Sequence, residues 1–186
     1  MNVVLVGYRG TGKSVVAQRL GRHLGLVVVS LDAAIVQAAG QPIPEIVQQR
    51  GWPGFRDLEE QVVREAAAAD GQVIDCGGGV VERPANLEVL RAAGPVFWLK
   101  ASPPVIVQRI QGDDQRPSLT GRASFTEEVV EVLERRMPRY ARIAHYQVDT
   151  DHRTEDQVAA EICRLLPDAP PYPEQPPKPP TEGLPR

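Results

Sequence analysis

Residues 7–14 read Gly-Tyr-Arg-Gly-Thr-Gly-Lys-Ser, which is the spacing of a phosphate-binding P-loop. The apolar run Val3–Val6 before the loop predicts a short buried strand, and residues 15–24 place apolar side chains at helical spacing. The loop glycines let backbone N–H groups turn toward a polyphosphate, and a helix that starts directly behind the loop directs its positive dipole end to the same anion. The sequence therefore predicts a nucleoside triphosphate site.

Two side chains of the loop carry the expected chemistry. Lys13 is expected to neutralise the outer phosphates, and the Ser14 hydroxyl is expected to bind Mg²⁺. An ordinary glycine turn followed by a helix is the alternative, but it does not explain this lysine and hydroxyl at fixed positions. The predicted nucleotide contacts are those of the loop and the first helical turn: Gly10, Thr11, Gly12, Lys13, Ser14 and Val15.

Length and charge restrict the possible partners. At 186 residues the chain suits one α/β domain, and its net charge of −3 provides no overall attraction to nucleic acid or anionic membranes. We therefore expect neither as a partner. Cys76 and Cys163 lack metal-ligand spacing and are expected to be free thiols. With the P-loop so close to Met1, and with no apolar run of about 20 residues, a cytoplasmic protein is expected.

Strand-like and helix-like segments alternate along the chain. Further strands are predicted at residues 27–29, 73–74, 96–99 and 146–149, each followed by a helical pattern. This alternation predicts an α/β fold of the P-loop kinase kind: a three-layer α/β/α sandwich with a five-stranded parallel sheet. Ligand sites in such sheets lie beyond the carboxyl ends of the strands.

The domain is expected to span residues 1–166 and to be followed by a different kind of segment. Residues 167–186 hold half of the 18 prolines. This composition predicts a disordered or polyproline II tail. The alternative is a ligand for a proline-recognition module.

Several segments beyond the P-loop resemble the shikimate kinase family, over about residues 2–166. They are Asp32, the segment 54–59 (Gly-Phe-Arg-Asp-Leu-Glu), the triplet 77–79 (Gly-Gly-Gly), the pair Arg116-Pro117 and the segment 135–140 (Arg-Arg-Met-Pro-Arg-Tyr). The triplet and the Phe-Arg-x-x-Glu pattern separate this family from adenylate and gluconate kinases. The resemblance implies a monomeric enzyme of aromatic amino-acid biosynthesis that uses ATP and Mg²⁺ to phosphorylate shikimate on its 3-hydroxyl. It also implies a small helical substrate-binding region at about residues 32–62.

The resemblance assigns roles to residues that would hold the substrate. Arg56 and Arg136 would bind the carboxylate of shikimate, which a guanidinium fork matches in bidentate fashion. Either arginine could instead be solvated on a helix face.

Asp32, predicted at the end of the second strand, would orient or deprotonate the attacking hydroxyl, and it could equally cap the following helix. The triplet Gly77, Gly78 and Gly79 presents bare backbone, from which Gly78 would donate its N–H to the substrate; close approach of a ligand explains three glycines better than a turn does.

Three further arginines are expected at the nucleotide. Arg116 lies in a polar loop, about residues 111–125, with the composition of a mobile lid. By closing over the γ-phosphate it would offset transition-state charge, so that Lys13, Asp32 and Arg116 form the catalytic set. Arg109 and Arg153 resemble positions that flank the adenine ring, where a guanidinium plane can stack.

The chain departs from the family pattern at two positions associated with Mg²⁺ binding, Ser30 and Asp75. Ser30 stands where the family usually has an aspartate that holds Mg²⁺ through water, whereas Asp75 occupies a Walker B position that is often small or neutral in the family. We hypothesise that Asp75 takes over as the metal ligand opposite Ser14. The alternative is that Asp75 merely ends its strand in solvent.

Two other functions remain open from the sequence alone. One is a kinase for another small polyol acid such as gluconate, and the other is a nucleotide-binding module without turnover. Two carboxylate-binding arginines and the glycine triplet argue against gluconate, and the retention of Lys13, Asp32 and Arg116 argues against loss of catalysis. Measuring ADP release with each acceptor would separate these cases.

Overall fold

The computed structural model of the protein describes residues 1–110 and 125–173, except for the side chain of Phe125. The predicted lid, including Arg116, and the distal part of the tail lie outside the described residues. Within the described part, five strands form one sheet in the order β2-β3-β1-β4-β5, and every pairing is parallel. The strands are Val3–Val6 (β1), Val27–Ser30 (β2), Gln72–Asp75 (β3), Val96–Lys100 (β4) and Tyr146–Asp149 (β5).

Helices cover both faces of this sheet. They are Lys13–Leu24 (α1), Leu31–Ala39 (α2), Ile43–Ala68 (α3), Pro84–Ala93 (α4), Pro103–Ile110 (α5), Phe125–Ile143 (α6) and Glu155–Leu165 (α7), with a short 3-10 helix at Val80–Glu82. The predicted α/β sandwich with a five-stranded parallel sheet is confirmed. The described residues contain no helix that is both long and apolar enough to cross a membrane.

Alternate residues of the central strands face two separate cores. Val3 and Leu5 of β1 pack toward α1 and α7, whereas Val4 and Val6 pack toward α2, α3, α4 and α6. All four side chains are fully buried. Because both faces of β1 are covered, the strand reads as a continuous apolar run, as expected for a central parallel strand.

Glycines divide the helical region after β2. Gly40 ends α2 in a left-handed conformation, and α3 is interrupted at Gly51, whose φ of 65° lies in the region that favours glycine. The chain then resumes its helical course from Trp52. This kink sets the direction of the helical segment that carries Arg56.

Two local expectations are corrected. Asp32 does not end a strand: β2 ends at Ser30, and Asp32 lies in the first turn of α2. The cap is Ser30, whose Oγ accepts a hydrogen bond from the Ala33 N–H at 3.3 Å. The residue that replaces the family aspartate thus has a structural function, and the Asp32 carboxylate is not used as the cap.

The first residues of the proline-rich tail are ordered against the domain. The ring of Tyr172 lies 4.9 Å from that of His23, and its hydroxyl donates to Asp156 Oδ1 at 3.0 Å. The Pro170 carbonyl oxygen lies 3.1 Å from His23 Nε2. Tyr172 thus packs against α1 and α7, while the disordered or polyproline II character of the tail stays a prediction.

Candidate active site

The P-loop connects β1 to α1 and is held by its own hydrogen bonds. The Tyr8 carbonyl oxygen accepts from Thr11 Oγ1 at 2.8 Å and from Lys13 Nζ at 2.9 Å. Gly10 and Gly12 adopt φ values of 79° and 84°, which side chains rarely tolerate. The loop is therefore preorganised, and the Lys13 ammonium is kept within it.

The predicted phosphate-binding residues line one pocket, with one exception. Gly10, Gly12, Lys13, Ser14 and Val15 all face this nucleotide pocket. Thr11 differs, because its side chain is buried and donates to the loop itself.

The two arginines predicted at the adenine have different surroundings. Arg109 donates to the Gly10 carbonyl oxygen at 3.3 Å and to the Thr150 Oγ1 and carbonyl oxygen at 3.0 and 2.8 Å, so it joins the P-loop to the loop after β5. Arg153 is exposed in the segment between β5 and α7. Its charge helps to lower the pKa of Glu161, after the larger effect of the hydrogen bond from Arg164. The role of both arginines at the adenine stays a prediction.

A second pocket adjoins the first and contains the predicted substrate residues. Asp32, Arg56, the glycine triplet and Arg136 all line this acid pocket. Asp32, Gly77 and Gly78 line both pockets. Because Asp32 lines both pockets, its carboxylate can contact a group bound in either one.

Arg56 is held between aromatic rings and a carboxylate. Its guanidinium lies 5.4 Å from the Trp52 ring centre and 5.0 Å from that of Phe55, and Nη1 donates to Glu59 Oε2 at 2.6 Å. Glu59 is almost fully buried, and burial raises its pKa although Arg56 acts in the opposite direction. Arg56 is therefore oriented toward the pocket and is not solvated on a helix face.

Arg136 is even more enclosed. Its side chain is 4% exposed, its Nε donates to Glu82 Oε1 at 2.7 Å, and its guanidinium lies 5.8 Å from the Tyr8 ring centre. One turn further along α6, the Tyr140 hydroxyl donates to the Gly78 carbonyl oxygen. This part of α6 thus supplies a cation to the pocket and fixes the backbone of the glycine triplet.

The triplet is explained by close approach of the protein's own groups. A Cβ at Gly77 would lie 2.6 Å from Asp32 Oδ1, a Cβ at Gly78 would lie 3.3 Å from the Arg9 backbone nitrogen, and a Cβ at Gly79 would overlap the Arg56 guanidinium. None of the three has a positive φ. The glycines therefore allow Asp32, the P-loop and Arg56 to meet. Close approach of a ligand to the triplet stays a prediction beside these contacts.

Oxygen donors at the end of β3 fit a hard cation. Ser30 and Asp75 are register partners on β2 and β3, and Ser14, Ser30, Asp32 and Asp75 all line the nucleotide pocket. Asp75 is only 6% exposed, so the alternative of a carboxylate in open solvent is wrong. Hydroxyl and carboxylate oxygens are the ligands Mg²⁺ prefers. Among the described residues no cluster of three His, Cys, Asp or Glu side chains could hold a metal alone, so the remaining ligands would be phosphate and water oxygens.

Some residues of the acid pocket were not singled out from the sequence. Tyr8 and Trp52 line the pocket and contact its arginines, and Glu82 binds Arg136 from outside it. Tyr8 occupies a variable position of the P-loop, and Glu82 follows the triplet by three residues. Both residues lie close in sequence to a motif, but that closeness does not predict their contacts with Arg136 on α6.

Comparison with known proteins agrees with this geometry. A family model described as shikimate kinase matches residues 9–167. The chain belongs to the shikimate kinase family. A shikimate kinase of Rhodopirellula baltica is 39% identical over 170 residues, covering 89% of this chain and 90% of the relative, and one of Symbiobacterium thermophilum is 40% identical over 168 residues, covering 89% and 96%.

Solved structures lead to the same family. The shikimate kinase of Acinetobacter baumannii in complex with shikimate superimposes with a TM-score of 0.85 at 31% identity, covering 88% of this chain and 91% of that one. A gluconokinase of Sinorhizobium meliloti 1021 reaches a TM-score of 0.51 at 16% identity, which is a likeness of fold alone. The expected P-loop kinase of the shikimate kinase family is confirmed.

Proposed function

We propose that the protein transfers the γ-phosphoryl group of ATP to the 3-hydroxyl of shikimate. The observation that carries this proposal is the position of Asp32, which lines both the nucleotide pocket and the acid pocket. Two arginines, Arg56 and Arg136, line the acid pocket and suit the carboxylate of the acceptor. The product is shikimate 3-phosphate, and the reaction is a step of aromatic amino-acid biosynthesis.

The residues of the site have distinct roles in this reaction. Backbone N–H groups of the P-loop and the Lys13 ammonium bind the phosphates and offset the charge that develops on them. Arg56, Arg136 and the Gly78 N–H hold the acceptor, and Asp32 accepts a hydrogen bond from its attacking hydroxyl. Because phosphoryl transfer has a loose transition state, orienting this hydroxyl in line with the γ-phosphorus matters more than base strength.

Three further arginines complete nucleotide binding in this proposal. Arg116 closes over the γ-phosphate as part of a lid, and it adds positive charge when the acceptor is in place. Arg109 and Arg153 flank the adenine. Arg109 is supported by its hydrogen bond to the P-loop residue Gly10.

Ser14 and Asp75 would hold Mg²⁺ at the phosphates. Mg²⁺ held there would supply positive charge that offsets the negative charge of the phosphates. The family usually provides the carboxylate from the end of β2, and here β3 provides it from the neighbouring register position, since Ser30 and Asp75 are paired. The change thus moves a carboxylate by one strand while keeping it at the same edge of the sheet.

Metal binding can be measured apart from turnover. We expect Asp75→Asn to weaken Mn²⁺ binding to the protein–ADP complex about tenfold in electron paramagnetic resonance titrations, and Ser30→Asp to restore it in that background. Asp70→Asn changes a side chain that is 89% exposed and serves as the control. Unchanged Mn²⁺ affinity in Asp75→Asn would refute the exchange.

The activity is tested by coupled measurement of ADP release with shikimate, with gluconate and without an acceptor. Shikimate-dependent turnover supports the proposal. Gluconate-dependent turnover would select a different polyol-acid kinase, and nucleotide binding without turnover would select a non-catalytic module. We further propose that the protein is a cytoplasmic monomer that needs no nucleic acid or membrane. Its molecular mass in solution is the direct test of the monomeric state.

A further inference from the structure

Glu82 follows the glycine triplet and is fixed to it by the backbone. It ends the 3-10 helix Val80–Glu82, in which the Glu82 N–H donates to the Gly79 carbonyl oxygen at 2.9 Å. The Asn86 side chain donates to the Val80 carbonyl oxygen at 2.9 Å and ties this turn to α4. Glu82 therefore has a defined position relative to the acid pocket.

The Glu82 carboxylate accepts hydrogen bonds from three arginines. Glu82 Oε1 accepts from Arg136 Nε at 2.7 Å and from Arg135 Nη2 at 3.1 Å, and Oε2 accepts from Arg139 Nη1. All three arginines lie within about one turn of α6. Burial alone would raise the pKa of Glu82, but these hydrogen bonds and charges lower it to about 2. The side chain is consequently an anion throughout the working pH range.

The contact with Arg136 is made at one particular atom. Nε lies on the flank of the guanidinium, so a bond there fixes the plane of the group and leaves the Nη end for another ligand. Arg136 lines both the acid pocket and a more exposed pocket beside it, whereas Glu82 lines only the second of these. The Tyr8 ring, 5.8 Å from the guanidinium, bounds it from another direction.

We propose that Glu82 is a positioning residue for the substrate carboxylate, because it holds Arg136 by Nε with the Nη end directed into the acid pocket. The inference rests on the proposed function and deepens it. Glu82 acts through Arg136 and does not touch the acceptor. Its loss should impair recognition of the acid group while leaving the phosphoryl-transfer step intact.

Glu82→Ala tests this role, with Glu60→Ala as its matched control. Glu60 is 19% exposed against 18% for Glu82, and it also pairs with an arginine, Arg64, but it lines neither pocket. We expect Glu82→Ala to raise the KM for shikimate about tenfold or more, with kcat and the KM for ATP changed less than threefold. Glu82→Gln, which retains an oxygen acceptor for Nε, should recover part of this loss. Glu60→Ala should change none of these constants.

A shikimate analogue whose carboxylate is reduced to a primary alcohol separates positioning from general structural support. Its binding, measured by calorimetry, should be weakened less than twofold by Glu82→Ala. Equal weakening for shikimate and the analogue would overturn the proposal, as would an unchanged affinity for shikimate. If Glu82→Ala does not fold, the same pair of ligands is compared with Glu82→Gln, and equal effects on both again overturn it. Absence of shikimate-dependent turnover in the unaltered protein would instead refute the proposed function.

Discussion

The nucleotide pocket and the acid pocket adjoin each other but are built in different ways. The P-loop side of the nucleotide pocket is one continuous segment, residues 9–15, whose shape is set by local glycine conformations and hydrogen bonds to Tyr8. The rest of its lining comes from Ser30, Asp32, residues 75–78 and Ile110. The acid pocket draws on the P-loop, α2, α3, the triplet and α6. One pocket is thus built around a loop that holds its own shape, whereas the residues of the other come together only when five segments have packed.

This difference predicts how the two pockets respond to substitution. In the nucleotide pocket the Lys13 ammonium is held by the P-loop itself, through its hydrogen bond to the Tyr8 carbonyl oxygen. In the acid pocket each cation depends on supporting groups: Arg56 on Glu59 and two rings, and Arg136 on Glu82 and Tyr8. Changes to supporting residues should therefore affect the acid pocket selectively.

Replacing the P-loop lysine should have the largest effect. We expect Lys13→Ala to lower kcat about 10²–10³-fold, because a preorganised charge at the transferring phosphoryl group is lost. Lys100→Ala, a change to a lysine at the end of β4 that lines neither pocket, is the control and should stay within twofold. The measurement is steady-state ADP release, and a kcat for Lys13→Ala near the unaltered value would contradict this account of the nucleotide pocket.

Removing a cation from the acid pocket should act on the acceptor. We expect Arg136→Ala to raise the KM for shikimate about 10²-fold, since truncating one partner of a buried charge pair costs about 2–5 kcal/mol. The KM for ATP should change little. Arg142→Ala, at an exposed position on the same helix, should leave both constants unchanged. A similar loss in both KM values for Arg136→Ala would show that the two pockets are not independent.

The close approach at the triplet can be tested with a single methyl group. Gly79→Ala places a Cβ against the Arg56 guanidinium, so we expect the KM for shikimate to rise about tenfold. In an Arg56→Ala background the same change should add almost nothing, because the colliding group is gone. Additive effects in this double-mutant cycle would mean that the glycine is needed for another reason.

The ion cluster beside the acid pocket, in which Glu82 binds three arginines of α6, should also stabilise the fold in a pH-dependent manner. The pKa of Glu82 falls from an ordinary value of 4.5 to about 2, so its contribution is present above pH 4.5 and is lost as the pH falls toward 2. We expect Glu82→Gln to lower the free energy of unfolding by about 2 kcal/mol at pH 7. The difference from the unaltered protein should shrink in urea titrations below pH 4.5. A pH-independent difference would contradict the assignment.

The smallest effect is expected outside both pockets. Tyr172→Phe removes the hydrogen bond to Asp156 but keeps the ring beside His23. We expect a loss of about 1 kcal/mol or less in the free energy of unfolding, with unchanged kinetic constants for both substrates. Altered kinetics would show that the tail influences the site through α1.

Local patterns predicted most of the fold, and their failures have physical causes. The helix α6 continues through Pro138 to Ile143, although a proline favours the end of a helix before it. Proline weakens a helix locally, but Tyr140 and Ile143 are fully or almost fully buried, and their packing keeps the segment helical. In the proline-rich tail, Tyr172 supplies apolar surface that packs against the domain.

The sequence by itself determined the P-loop, the alternation of strands and helices and the residue types needed for a phosphate and a carboxylate, because these depend on backbone conformation and on contacts between near neighbours. Only the tertiary structure decided that the triplet glycines make room for Asp32 and Arg56, that Ser30 and Asp75 are partners across two strands, and that Glu82 holds Arg136. These contacts join segments far apart in the chain. They arise from strand order and helix packing, which bring together side chains whose spacing in the sequence does not predict that they touch.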